Sequence, residues 1–334
     1  MNTATTKIKG PANKSLKIDF LSFTFNVNGK TARTKVHQRI VSLMNECKNQ
    51  PSPLSIDNTS NTIVSIKYAM KFNSGQKQNY IMQYFETCLF NIKTNAGNFT
   101  VKLSYNPIDD RKRFIRVEFN PAKAGVSGVT TVCHLLVKLL GHKRASLIYS
   151  KAKITRIDIT LDRYGLKHNY YAHVDRMSTS KHYKTESSVN AKDVKDTQVL
   201  GTPKGKVLLT IYDKSAEQFL KRAKDIPDNT LRFEFRKRNL DYPMADLLTT
   251  ANPFENLHLY PVKTIKDPLF SRIFRCRVKK FGVPYALGKI DDYPTRRQHM
   301  NRLNRYERRI INAKSAWKQW PAAVEVLEPF RTMA

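Results

Sequence analysis

Carboxylates are scarce in this chain: 27 Asp and Glu stand against 59 Lys and Arg in 334 residues, a net charge of +32. Such an excess attracts polyanions, and lysines and arginines that neutralise phosphates release condensed counterions, which makes binding salt-sensitive. Cysteine is also sparse. Cys47, Cys88, Cys133 and Cys276 lie far apart, without the paired spacing of a zinc site, so reduced cysteines in apolar settings are expected. No apolar run approaches the ~18–20 residues that span a bilayer. The opening "MNTATTKIKGPANK" lacks the apolar stretch of a secretion signal. These absences predict a soluble protein of a reducing cytoplasm, without a membrane partner. "GTPKGK" (201–206) is too short for a phosphate-binding P-loop and reads as a basic hairpin turn, and without an NTPase motif no helicase activity of the chain's own is expected. No Ser-His-Asp or zinc constellation emerges.

What is present is enough apolar residue, 40%, for one large or two modest cores. That content and the chain length argue against a ribosomal or membrane-surface protein. Residues 1–15 are polar and read as disordered. "LKIDFLSFTFNV" (16–27) alternates like a strand and is closed by Asn28-Gly29. Val36, Ile40, Met44 and Cys47 predict a helix over 33–48. Residues 62–120 read mostly as strands and turns, with helix open for 79–93. A short helix is predicted over 128–140, stopped by Gly141.

The pattern then begins again. "KIDF" (17–20) returns as "RIDI" (156–159), and "IRVEF" (115–119) as "LRFEF" (231–235). The expected fold is α+β: antiparallel sheets from two similar halves, about 16–141 and 150–240, flanked by helices. A basic, mainly helical C-terminal extension follows over 241–334. From 242 onward, helices broken at Pro253, Pro261, Pro268, Pro284 and Pro294 are expected. The last long segment, 293–320, carries Arg296, Arg297, Arg302, Arg305, Arg308 and Arg309 with almost no acid to offset them, and reads as a phosphate-contacting helix.

The chemistry concentrates between 154 and 238. Residues two apart share a strand face, so Asp158, Thr160 and Asp162 lie opposite Ile157, Ile159 and Leu161. Acids on such a face are costly unless paired or bound to a metal. Two readings stand. Arg156 shares the face and can pair with Asp158, and Arg232 with Glu234 can bridge to the neighbouring strand. Alternatively, Asp158, Asp162 and Glu234 hold Mg²⁺ or Mn²⁺ beside a phosphate-binding surface. Tyr212, at the end of "KVLLTIYDK", favours the second. A phenol has a pKa near 10 and needs a cation such as Lys214 or a divalent ion nearby to attack phosphorus. Arg156, Lys204, Lys206, Arg232, Arg236, Lys237 and Arg238, with Arg302, Arg305, Arg308 and Arg309, are the expected DNA contacts.

"TRIDITLDRYG", "GKVLLTIYDKSAEQ" and "LRFEFRKRN", in this order, resemble the replication initiation factor family of rolling-circle plasmids and filamentous phages. Weaker likeness in "KIDFLSFTF" and "IRVEFNP" extends it over roughly 16–240. The resemblance implies that Tyr212 is the nicking tyrosine and that Asp158, Asp162 and Glu234 are the acidic positions. It implies sequence-specific nicking at a double-stranded origin, a 5′-phosphotyrosyl link and a 3′-OH primer; the expected substrate is origin DNA with a single-stranded nick region, and the expected chemistry is metal-dependent. Dimerisation and recruitment of a host helicase follow from it as well. The C-terminal third matches no motif, and Asp19 and Glu118 of the first half are not evident site residues. The His-hydrophobe-His triplet of the other major nicking superfamily is absent; His168 and His173 are five apart, and His258 has no partner histidine in sequence. The rival expectations are a non-catalytic, sequence-specific replication or transcription regulator, and a structural RNA-binding protein.

Overall fold

Runs in which apolar residues alternate with polar ones build the sheets of the structure, a computed structural model that describes residues 14–49, 54–55, 62–68, 83–95, 97–167, 169–174, 184–186, 197–202, 204–220, 229–307 and 311–333. In chain order the strands are β1 (Lys14–Phe25), β2 (Leu54–Ser55), β3 (Thr62–Tyr68), β4 (Tyr84–Thr94), β5 (Gly97–Pro107), β6 (Ile115–Phe119) and β7 (Lys153–Arg163). They continue with β8 (Tyr170–Val174), β9 (Lys184–Glu186), β10 (Thr197–Gly201), β11 (Val207–Asp213), β12 (Leu231–Pro243) and β13 (Leu257–Pro261). The helices are α1 (Lys30–Asn49), α2 (Pro121–Leu140), α3 (His142–Ala145), α4 (Ile148–Lys151) and α5 (Lys214–Leu220). After them come α6 (Arg272–Gly288), α7 (Tyr293–Tyr306), α8 (Ala313–Trp317), α9 (Trp320–Glu325) and α10 (Glu328–Thr332). The architecture is α+β, with antiparallel sheet flanked by helices and a helical C-terminal region.

The chain forms two compact units. The first comprises Lys17–Ile159, Lys237–Thr250 and Trp320–Ala334. Its strands run in the order β3-β4-β5-β6-β1, with antiparallel registers such as Phe90↔Val101, Leu103↔Val117 and Phe23↔Val117. Their inward residues, Phe23, Phe90, Val101, Leu103 and Val117, meet Val36 and Ile40 of α1 and Val132, Leu136 and Leu139 of α2 in the core. Helix α2 starts where Asn120 caps the Lys123 amide (2.9 Å), with Pro121 in the first turn, and ends at Gly141, whose φ of 81° suits glycine. Within it, Gly128 leaves room for the Phe99 ring, which a β-carbon would approach to 2.8 Å. By length and composition α2 is apolar enough to cross a membrane, unlike anything expected from the sequence, but its apolar stripe is buried in this unit.

The second unit comprises Met1–Leu16, Thr160–Arg236 and Ala251–Gln319. Here the order is β7-β12-β11-β10-β9, and β8 pairs with β13 as a separate two-stranded sheet. A side chain joins the two sheets. The Gln198 carboxamide of β10 accepts from the Ala172 amide (3.0 Å) and donates to the Tyr170 carbonyl, both on β8. Below β8 and β13, α6 and α7 enclose a core of Tyr171, Tyr260, Phe270, Phe274, Val278 and Leu303. Each half thus has the same strand order from its own first strand, β1-β6-β5-β4-β3 and β7-β12-β11-β10-β9, with "KIDF" on β1, "IRVEF" on β6, "RIDI" on β7 and "LRFEF" on β12.

Several elements differ from the expectation. Residues 84–94 form a strand paired on both sides with β3 and β5, in line with the strand reading of 62–120 and against the helix left open for 79–93. The segment after 242 contains two 3₁₀ turns and β13 as well as helices. Pro294 lies in the opening turn of α7, where the missing N–H is tolerated, and breaks no helix, while Pro284 opens the short segment that follows the break of α6 at Gly282. The long helix over 293–320 is interrupted: α7 ends at Tyr306 and α8 begins at Ala313, while Arg308 and Arg309 fall outside the described residues, as do residues 1–13 and His168. Cys276 is exposed, whereas Cys88 and Cys133 are buried as expected.

Candidate active site

The turn after β11 is fixed by its own polar side chains. Asp213 Oδ1 accepts from the Ala216 amide (3.0 Å) and so caps α5. Ser215 Oγ accepts from the Thr230 amide (2.7 Å), and the Lys214 amide donates to the Thr230 carbonyl (2.8 Å), tying this turn to the start of β12. Tyr212, the penultimate residue of β11, is held from both sides: its backbone pairs opposite Thr197 of β10, and its ring lies 5.8 Å from the Lys214 ammonium. Lys214 is itself buried and ion-paired with Glu217.

Burial pushes the Tyr212 phenol well above its ordinary pKa. The Arg232 guanidinium, close enough to hydrogen-bond to it, pulls the other way, and Glu217 and Glu234 add to the rise. Arg232 is held in turn by Asp162 through a two-point fork, Nε to Oδ1 at 2.6 Å and Nη2 to Oδ2 at 2.7 Å. Both side chains are almost fully buried, 8% and 2% exposed, so the pair is compensated in a low-dielectric setting. Glu234 accepts from Arg236 at 3.0 Å. Asp162, Tyr212, Lys214, Glu217, Arg232 and Glu234 therefore belong to one polar cluster of the second unit, while their strands bury Leu161, Ile211, Phe233 and Phe235.

Asp158 belongs to the first unit. There it is gripped by Arg156, Nε to Oδ1 at 2.9 Å and Nη2 to Oδ2 at 2.5 Å, and the guanidinium lies 4.1 Å from the Phe20 ring centroid. Every expected acid is thus engaged by an arginine. Among the described residues no three His, Cys, Asp or Glu side chains gather closely enough to hold a metal ion. Asp158 and Asp162 offer both oxygens, and Glu234 its Oε1, to guanidinium donors, so a divalent ion would have to compete with these arginines for them.

Of the expected DNA contacts, Lys204 and Lys206 are exposed beside the β10–β11 turn, Arg238 is partly exposed, and burial lowers the pKa of Lys237. Arg305 is exposed on α7, and Arg302 donates to the Leu269 carbonyl. Asp19 accepts from Asn120 (2.9 Å) and Glu118 pairs with Lys102 (3.1 Å), structural contacts of the first half. Sequence reasoning missed Glu217, although its spacing three residues after Lys214 on a helix is a recognisable pairing signal. Nor did it pair Arg232 with Tyr212.

No protein-family model matches this chain, and no curated protein matches it. Among solved structures it is similar to the structure of a rolling circle replication initiator protein from Geobacillus stearothermophilus, at 12% identity and a TM-score of 0.33, over 68% of this chain and 75% of that one. A likeness this distant carries no argument about function.

Proposed function

We propose that the protein initiates rolling-circle replication by nicking and rejoining DNA, with Tyr212 as the nucleophile. The observation that carries this reading is the Tyr212 phenol facing Arg232, a cation that Asp162 fixes in place. The phenol oxygen attacks a backbone phosphorus, the bond from phosphorus to the 3′ oxygen breaks, and the departing oxygen gains the proton that the phenol loses. The products are a 5′-phosphotyrosyl link and a free 3′-OH, and attack by a 3′-OH reverses the step without ATP. Arg232 and Lys214 offset the charge that develops on the phenol and phosphate oxygens. Asp162 acts as a positioning residue through Arg232. In this reading residues 16–240 bind and nick the origin and 241–334 add basic surface; a homodimer and a recruited host helicase are the expected partners.

The test is incubation of the full chain with supercoiled DNA of its own replicon, with Mg²⁺, with Mn²⁺ and with EDTA, followed by denaturing gels with and without protease. A protease-sensitive, slow-migrating adduct that vanishes in Tyr212→Phe supports the reading; an adduct mapped to Tyr164 or Tyr242 overturns the assignment. Activity that survives EDTA would place the charge stabilisation on Arg232 and Lys214, and loss in EDTA would require the arginine forks to open for a metal. Because the acids are all charge-satisfied, a second reading is a non-catalytic DNA-binding regulator of a phage or plasmid. Origin binding without any covalent adduct selects it.

A further inference from the structure

Beyond the nicking strand, the second unit carries a pair of helical segments that the Tyr212 chemistry does not use. Helix α6 is broken at Gly282, whose φ of 82° lies in the region open to glycine, so a short segment over 283–288 follows as a separate turn. Its Val283, Ala286 and Leu287 are buried in the same core as Leu303 of α7. Residues 289–292 connect the two, and Asp292 caps the second helix by accepting from the Thr295 amide at 2.8 Å. A short buried helix, a connection of about four residues and a longer exposed helix are the parts of a helix-turn-helix, whose second helix enters the major groove.

The faces of α7 are sharply divided. His299 and Leu303 point inward, with His299 packed edge-on against Phe274 at 4.6 Å between ring centroids. At 100° per residue the opposite stripe is Arg297, Gln298, Asn301 and Arg305, and all four are exposed. With Tyr293 and Pro294 they line a shallow surface groove. The helix has 14 residues and no acid among them. Phosphate binding alone calls for cations. Here the stripe also offers two carboxamides, the groups that pair with adenine N6 and N7, between arginines of the kind that pair with guanine O6 and N7.

We infer that α7 is a sequence-reading helix for duplex DNA, with Arg297, Gln298 and Asn301 contacting base edges in the major groove and Arg305 fixing the backbone. This deepens the replication-initiator reading by adding, to the origin-binding residues 16–240, a base-reading element within the basic region 241–334, and it stands on residues separate from Tyr212. The probe is a library of random-sequence DNA duplexes, from which full-length wild-type protein, Tyr212→Phe, Gln298→Ala and Asn301→Ala are each used to select binders. Wild type and Tyr212→Phe should enrich one common motif, whether or not the protein nicks DNA. Gln298→Ala and Asn301→Ala should each lose preference at one or two adjacent positions and bind the wild-type motif about 5- to 150-fold more weakly. Both replaced side chains are neutral, so affinity for unrelated duplex and its salt slope should not change. Both are exposed, and matching thermal unfolding curves verify that the variants fold. Selection of the unchanged motif by both variants overturns the inference and leaves α7 as a phosphate contact. So does the absence of any wild-type motif, or equal binding to an RNA duplex.

Discussion

Replacing Asp162 by asparagine should expose how much of the second unit depends on one buried ion pair. The change keeps the shape of the side chain but removes the charge that answers Arg232, whose guanidinium is 8% exposed against 2% for the aspartate. Solvent screens so little of this pair that the surface value of ~0–1 kcal/mol does not apply. Leaving a buried guanidinium uncompensated costs about 3–5 kcal/mol, a large part of a typical stability of roughly 5–15 kcal/mol. At about 2–4 °C per kcal/mol for a unit of this size, the melting temperature should fall by roughly 6–20 °C. Calorimetry or near-ultraviolet circular dichroism of the full chain reads this directly. The internal control is Asp109→Asn, which breaks the exposed pair with Arg111 (2.9 Å) and should leave melting unchanged. A double variant, Asp162→Leu with Arg232→Met, should recover most of the lost stability, since apolar residues of similar volume can replace a buried pair at little cost. It should not recover nicking, because the cation facing Tyr212 is gone. A melting shift below about 2 °C for Asp162→Asn would mean that water reaches the fork and that the burial argument is wrong.

Tyr212→Phe should abolish the covalent adduct while leaving duplex binding nearly intact in a gel-shift titration. The same variant has a pH signature: because the folded phenol titrates above its unfolded pKa, its contribution to stability is complete below about pH 10. That contribution is lost as pH rises through the folded value, so urea curves of wild type and variant should keep a constant separation up to pH 9.5 or so and change it only beyond. Gly128→Val should cost about 1–3 kcal/mol, measured by urea unfolding, because its β-carbon meets Phe99 at 2.8 Å. Thiol labelling at pH 8 should modify Cys276 within minutes and spare Cys88, whose thiol burial pushes up to about 12; equal rates would contradict the packing. Replacing Arg302, Arg305, Arg308 and Arg309 together by Gln should flatten the plot of log affinity against log salt by roughly two to four units, with nicking of a single-stranded oligonucleotide retained at saturation.

Strand parity was readable from the chain because a period of two needs no knowledge of neighbours: Arg156 and Asp158 had to share a face, as did Arg232 and Glu234. The neighbour across the sheet was not readable. Asp162 meets Arg232, seventy positions away, and only the adjacency of β7 and β12 decides that pairing. Residues 84–94 show the same limit, since their strand depends on hydrogen bonds to β3 and β5, and local spacing left helix open. The end of α7 was hidden for a different reason: "NRYERR" contains neither glycine nor proline, so nothing local announces the stop at Tyr306. The repeated strands were legible because the duplicated tetrapeptide and pentapeptide fall on elements that occupy matching places in the strand order.

Gln198 gives the second unit an unusual mechanical property. A two-stranded ribbon such as β8 with β13 is only marginally stable by itself, and one of its edges would ordinarily exchange its amides quickly. The Gln198 side chain, 1% exposed, occupies that edge like a strand a single residue long, covering the Ala172 amide and the Tyr170 carbonyl. Opening the ribbon therefore requires withdrawing a side chain anchored in β10, so the two sheets share one opening event. The deuterium uptake of Ala172 should follow the slow clock of β10 rather than that of a fraying hairpin, and Gln198→Leu should uncouple the two clocks while leaving the apolar packing in place.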